Sequence, residues 1–158
     1  MPGHGARPDP RRSFWSAALV GVGVMAGVDE IVFHQILQWH HFFDRATPAI
    51  GVLSDGLLHA GELLALVAGC FLLLGAARDG RLAARWAWAG LLVGMGGFQL
   101  FDGVVNHKIL RLHQIRYGVD LLVYDLAWNG AAVALLAVGG VLAARARRHD
   151  RRRARAEA

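Results

Sequence analysis

The chain has 158 residues, 55% of them hydrophobic, with twenty glycines, a single cysteine and a formal net charge of +5. That length suits one compact domain, and one cysteine excludes a disulfide framework or a thiolate metal cage. The positive charge does not point to nucleic acid. It comes from the segment after Ala144, where seven arginines face Asp150 and Glu157, while the rest of the chain holds ten basic and ten acidic residues.

Residues 1–13 form a polar N-terminal segment with Arg7, Arg11 and Arg12. Four apolar stretches follow, at about 14–34, 56–77, 86–106 and 121–144, and residues 145–158 form a basic tail. At ~1.5 Å per residue, about 20 residues of helix cross a hydrocarbon core of roughly 30 Å. Unpaired backbone is too costly in lipid for anything but helices here. The sequence therefore predicts an all-α, integral membrane four-helix bundle, with the glycines inside the stretches suiting close helix contact. Arginines in the N-terminal segment, in the loop at Arg78, Arg81 and Arg85, and in the tail number thirteen, against four basic residues (Arg45, Lys108, Arg111 and Arg116) in the other two loops. That bias places both termini in the cytoplasm of a multi-pass cell-membrane protein.

A shift of 73 residues aligns the first stretch with the third at twelve identical positions out of twenty-nine, against roughly one in fifteen for ordinary composition. Arg12, Trp15, Leu19, Val20, Gly21 and Gly23 match Arg85, Trp88, Leu92, Val93, Gly94 and Gly96. Asp29, Val32, His34, Ile36, Leu37 and His40 match Asp102, Val105, His107, Ile109, Leu110 and His113. A weaker echo pairs Asp55, His59 and Gly69 with Asp125, Asn129 and Gly139. The chain reads as two duplicated helical hairpins in parallel about an axis along the membrane normal. Arg11-Arg12-Ser13-Phe14 and Val24-Met25-Ala26 resemble an export signal and its cleavage site. The third stretch carries the same framework and cannot be a leader, so the first is expected to stay.

Ionisable residues in membrane helices are costly and mark function by default. Here they crowd the outer halves together with polar amides: Asp29, Glu30 and His34; Asp55, His59 and Glu62; Gln99, Asp102, Asn106 and His107; Asp125 and Asn129. At α-helical spacing Glu30 and His34 share a face, as do Asp55, His59 and Glu62. Carboxylate and histidine three or four residues apart on facing helices are how bundle cores hold metals. The candidate ligands are His34, His59, His107, Glu62, Asp29 and Asp102, with Glu30, His40, His113, Asp55 and Asp125 as further candidates. Histidine and carboxylate without cysteine favour iron, zinc, manganese or oxidised copper. A haem between His34 and His107 fits less well, because a porphyrin needs apolar walls. Gln99 and Asn129 read equally as braces between helices. His4 and His149 sit in the tails.

Val28-Asp29, the run from His34 through Gln35, Ile36, Leu37, Gln38 and Trp39 to His40 and His41, Asp55 to His59, and Asn106-His107 to His113 resemble a family of bacterial predicted membrane proteins, domain of unknown function 2243. The resemblance covers nearly the whole chain and implies a four-helix membrane protein with no established activity. It implies paired histidines on the third helix, where this chain has His107-Lys108 and His113-Gln114, so Lys108 and Gln114 fall outside any ligand set. It also implies a neighbourhood of cytochrome oxidase assembly and copper-handling proteins. The expected function is transition-metal binding by copper, iron or zinc in the outer half of the bilayer. The alternative is a metal-free assembly or interaction protein, linked to respiratory oxidase assembly, whose polar cluster is structural. The expected partners are the lipid bilayer, other membrane proteins or further copies of the chain. No nucleotide loop, nucleophile elbow or nucleic-acid motif is present, and the sequence names no reaction.

Overall fold

Asp9 begins the first helix. Its side chain accepts from the Arg12 amide at 3.0 Å and Pro10 fills the first helical position, the N-terminal pattern in which neither missing hydrogen bonds nor φ are a cost. The structure, a computed structural model, describes residues 7–156; residues 1–6, with His4, and Glu157 and Ala158 lie outside the described residues. Helix α1 spans Pro10–Val28 and continues as a π-helical segment, Asp29–Ile36. Helix α2 spans Pro48–Arg78, α3 spans Ala84–Phe101 with its own π-helical continuation Asp102–Ile109, and α4 spans Leu121–Ala156. With their continuations, all four are long and apolar enough to cross a membrane.

Two elements outrun their apolar stretches. Helix α2 opens at Pro48 because proline presets the first turn, and the loop before it satisfies the polar groups that follow. The Phe43 amide donates to Ser54 Oγ at 3.0 Å and the Phe42 amide to Asp55 Oδ1 at 2.7 Å. Helix α4 runs on through the arginines of the tail, which are good helix formers, and Trp86 Nε1 donates to Asp150 there at 2.8 Å.

The helices stand in a row rather than a ring. Helices α1 and α3 form the central pair, α2 lies against α1, and α4 lies against α3; among the described residues α2 makes no close backbone approach to α3 or α4. The pair meets backbone to backbone. A Cβ on Gly21 would run into the Leu91 carbonyl, and one on Gly94 into the Ala18 carbonyl. The flanking contacts are matched: Gly23 faces Glu62 and Leu66, as Gly96 faces Ala132 and Leu136. At the arginine-rich end the Asp9 amide donates to the Arg81 carbonyl at 2.7 Å, and the Ala83 amide to Ser13 Oγ at 2.9 Å.

At the opposite end both central helices widen. In a π-helix the amide bonds five residues back instead of four, as Leu37 does to Val32 at 2.8 Å and Leu110 to Val105 at 2.7 Å. Each segment then stops at a left-handed residue, Gln38 at φ 50° and Arg111 at φ 52°, a conformation few side chains other than glycine adopt. These residues turn the chain back over the end of the row.

Candidate metal centre

The change of winding builds the site. In an α-helix, residues five apart lie well off one face. The wider turn of a π-helix narrows that offset, and Asp29 comes beside His34 and Asp102 beside His107. Asp102 Oδ2 lies 3.1 Å from His107 Nε2, and Asp29 Oδ2 lies 3.9 Å from His34 Nε2. The turn at the left-handed residues then brings His40 and His113 inward. Both are buried, at 5% and 1% exposure.

The two loops hold these histidines reciprocally. His40 Nδ1 donates to the Ile115 carbonyl at 2.9 Å, and His113 Nδ1 to the Phe42 carbonyl at 2.8 Å. A carbonyl can only accept, so the proton sits on Nδ1 and Nε2 keeps a free lone pair. Burial, then the imidazoles of His113, His34 and His107, push His40 down to about 2, so it is neutral at physiological pH. The four rings close into one cluster. Ring centres are 4.5 Å apart for His34 and His40, 4.7 Å for His107 and His113, and 4.6 Å for His40 and His113.

Around the cluster, polar atoms are buried without a hydrogen bond. They include Nε2 of His34, His40, His107 and His113, and Oδ2 of Asp29 and Asp102. His107 Nε2 and Asp102 Oδ2 are 3.1 Å apart, yet neither atom has a hydrogen-bond partner. Such groups are rare in folded proteins and each calls for a reason. Three sets of side chains are spaced to hold a metal ion: His40, His107 and His113; Asp29, His34 and His40; Glu30, His34 and Asp55.

Supporting groups surround His34 on one side. Its Nδ1 lies 2.8 Å from Glu30 Oε2 and 3.1 Å from Asp55 Oδ1. Gln35 donates to Glu30 at 2.7 Å, and His41 Nδ1 lies 2.6 Å from Asp55 Oδ2. A cleft of about 670 Å³, lined by His34, His40, His41, Asp44, Asp55 and Tyr117 among others, leads in from this side. The carboxylates hold the Nδ1 proton and leave Nε2 for a ligand bond, the usual second partner of a metal-bound histidine.

The structure thus gathers His34, His107, Asp29 and Asp102, joins His40 and His113 to them, and sets Glu30 and Asp55 behind His34. It does not bring in the other candidates. His59 is half exposed and bonds Glu62 at 2.6 Å, and the pair sits beside Gly27 on the flank between α1 and α2. Because α2 packs on α1 and its continuation alone among the helices, its buried stripe is narrow and His59 falls outside it. Asp125 pairs with Lys108 at 2.6 Å. Gln99 donates to the Trp128 carbonyl and Trp128 Nε1 to the Gln99 carbonyl, at 2.9 and 3.0 Å, a brace between α3 and α4. The role of His41 behind Asp55 was signalled in sequence only by its place beside His40 and its spacing of seven residues from His34. The Phe42 and Ile115 carbonyls had none.

A family model described as Predicted membrane protein (DUF2243) matches residues 16–146, which take in both π-helical segments and all of the gathered side chains. No curated protein and no solved structure matches the chain.

Proposed function

This chain belongs to that family of predicted membrane proteins, and from that premise we propose that it holds a transition metal, copper, iron or zinc, in the outer half of the cell membrane. The single observation that carries the proposal is the set of buried Nε2 and Oδ2 atoms, on four histidines and two aspartates, that no protein group satisfies. A cation bound among them supplies the missing partner and offsets the cost of burying them. The ligands are His34, His40, His107 and His113 with Asp29 and Asp102; Glu30 and Asp55 orient His34. Imidazole and carboxylate donors suit copper, iron and zinc. The same carboxylates leave no apolar walls for a porphyrin, so haem is not proposed. His59 and Glu62 supply no ligand in this proposal.

Duplication of one helical hairpin is part of the proposal. It is supported by the 73-residue offset shared by the two π-helical segments, by Gln38 and Arg111, and by the crossed bonds of His40 and His113. The arginine bias orients both termini to the cytoplasm. A reporter fused at Asp79 should be active only in the cytoplasm, and activity outside would reverse the orientation and move the centre to the inner face.

Protein purified in mild detergent should carry near-stoichiometric copper, iron or zinc by elemental analysis. A variant with His34, His107 and His113 all changed to alanine should carry none. Metal-free protein from cells grown with each metal in turn would overturn the proposal.

A further inference from the structure

We infer that the centre takes two metal ions, one in each of two Asp–His–His triads: Asp29, His34 and His40 for the first, and Asp102, His107 and His113 for the second. The inference rests on the metal-binding proposal and adds to it the number of ions and the division of the ligands.

The ring planes decide the number. An imidazole nitrogen donates through a lone pair that lies in the plane of its ring, at about 2.0–2.1 Å from the metal. His40 and His113 are stacked, with planes 6° apart and centres 4.6 Å apart. Rings stacked in this way send their in-plane lone pairs out along separate, nearly parallel layers, and bonds of that length do not converge on one ion from both. Their Nδ1 atoms are occupied by the Ile115 and Phe42 carbonyls, so neither ring can turn its other nitrogen to the task. One ion cannot take His40 and His113 together, although proximity alone places both beside His107.

Within each triad the planes do intersect. His34 and His40 are inclined at 72°, and His107 and His113 at 78°. Each pair therefore has a line along which one ion lies in both ring planes; the cross pairs, His34 with His113 and His40 with His107, are inclined as steeply but stand 6.1 Å apart, against 4.5 and 4.7 Å within the triads. The aspartate closes each set: Asp102 oxygens lie 3.1 Å from His107 Nε2 and 3.5 Å from His113 Nε2, and Asp29 Oδ2 lies 3.9 Å from His34 Nε2. Donors that share an ion at about 2.0–2.2 Å stand roughly 3–3.5 Å apart, so the two Asp102 contacts are already at that spacing and the Asp29 contact to His34 closes by a few tenths of an ångström. Two histidines and one carboxylate leave coordination positions open, the arrangement of non-haem iron sites. The polar cleft lined by His34, His40, His41 and Asp55 gives the first triad a route to water.

The test is a count. Full-length protein in mild detergent is stripped with a chelator and titrated with Zn2+, with bound zinc measured calorimetrically and by elemental analysis after desalting. Two Zn2+ per chain are expected. The His107→Ala/His113→Ala variant and its mirror, His34→Ala/His40→Ala, should each bind one. As a second measurement, Cu2+-loaded wild-type protein should show less spin intensity than its copper content, through coupling of neighbouring ions, and each variant should show full intensity. One Zn2+ per wild-type chain would overturn the two-ion inference and leave the metal-binding proposal standing; none would overturn both. Two in the wild type but none in either variant would overturn the division into triads. Where a variant fails to fold, the wild-type count and its copper spectrum decide.

Discussion

The π-helical ends of α1 and α3 share one backbone and differ in electrostatics. At the first, Glu30 and Asp55 hold His34 Nδ1, and His41 holds Asp55. At the second, 73 residues on, Gly103 stands in the place of Glu30, Gln114 in that of His41 and Lys108 in that of Gln35. His107 Nδ1 makes no hydrogen bond, and Asp125, in the position of Asp55, is neutralised by Lys108. There is no room to restore the missing carboxylate: a Cβ on Gly103 would come within 2.7 Å of the Trp128 ring. A repeated frame fixes where histidines stand, while the residues behind them decide how much negative charge each site carries. The first triad has three carboxylates at hand and a cleft to water. The second has one and a lysine close by.

The largest expected effect comes from destroying the frame both ends share. Gly94→Val drives a side chain into the Ala18 carbonyl, an overpacking cost at or above the ~3 kcal/mol end of its usual range. Gly21→Val meets the Leu91 carbonyl and should be equally damaging, whereas Gly97→Ala meets nothing within 4 Å. Yield of monodisperse protein in detergent measures all three. Equal yields would mean that the central crossing does not hold the halves together.

The next effect separates the ends. In metal-free protein His34→Ala leaves the buried Glu30 Oε2 without its partner and should cost about 1–3 kcal/mol. His107→Ala removes a ring whose nitrogens bond nothing, so its thermal midpoint should fall less. Equal falls would show that the supporting groups on the first side add nothing. Smaller again, Asp55→Asn keeps shape while removing charge behind His34, and should weaken metal retention about 10–100-fold. Asp125→Asn, tied to a lysine instead, should leave retention unchanged; competition with a chelator measures both, and equal losses would erase the asymmetry. The smallest is Lys108→Gln. Its ion pair with Asp125 is partly exposed, at 40% and 19%, and such pairs contribute about 1 kcal/mol or less, so a midpoint shift of more than a few degrees would assign Lys108 a larger role than its geometry supports.

Composition and spacing were enough to read four spans, their polar ends and the pattern Asp-x4-His-x5-His that occurs twice, because hydropathy and residue order are local properties of the chain. His34, His107, Asp29 and Asp102 were legible on that ground. The grouping of ligands was not. A 3.6-residue period puts Glu30 on the face of His34 and leaves Asp29 off it, and it draws His59 and Glu62 into one stripe with Asp55. The winding follows instead from where backbone amides find partners at the end of the row, and there the Leu37 and Leu110 amides bond five residues back. His40 and His113 stood from sequence only among the further candidates, since a histidine near a helix end is normally solvated. Their burial depends on carbonyls 75 and 71 residues away. Sequence by itself determined which side chains were dear to bury in lipid. Only the tertiary structure decided which of them face one another, because that choice is made by helix pitch and by hydrogen bonds between loops far apart in the chain.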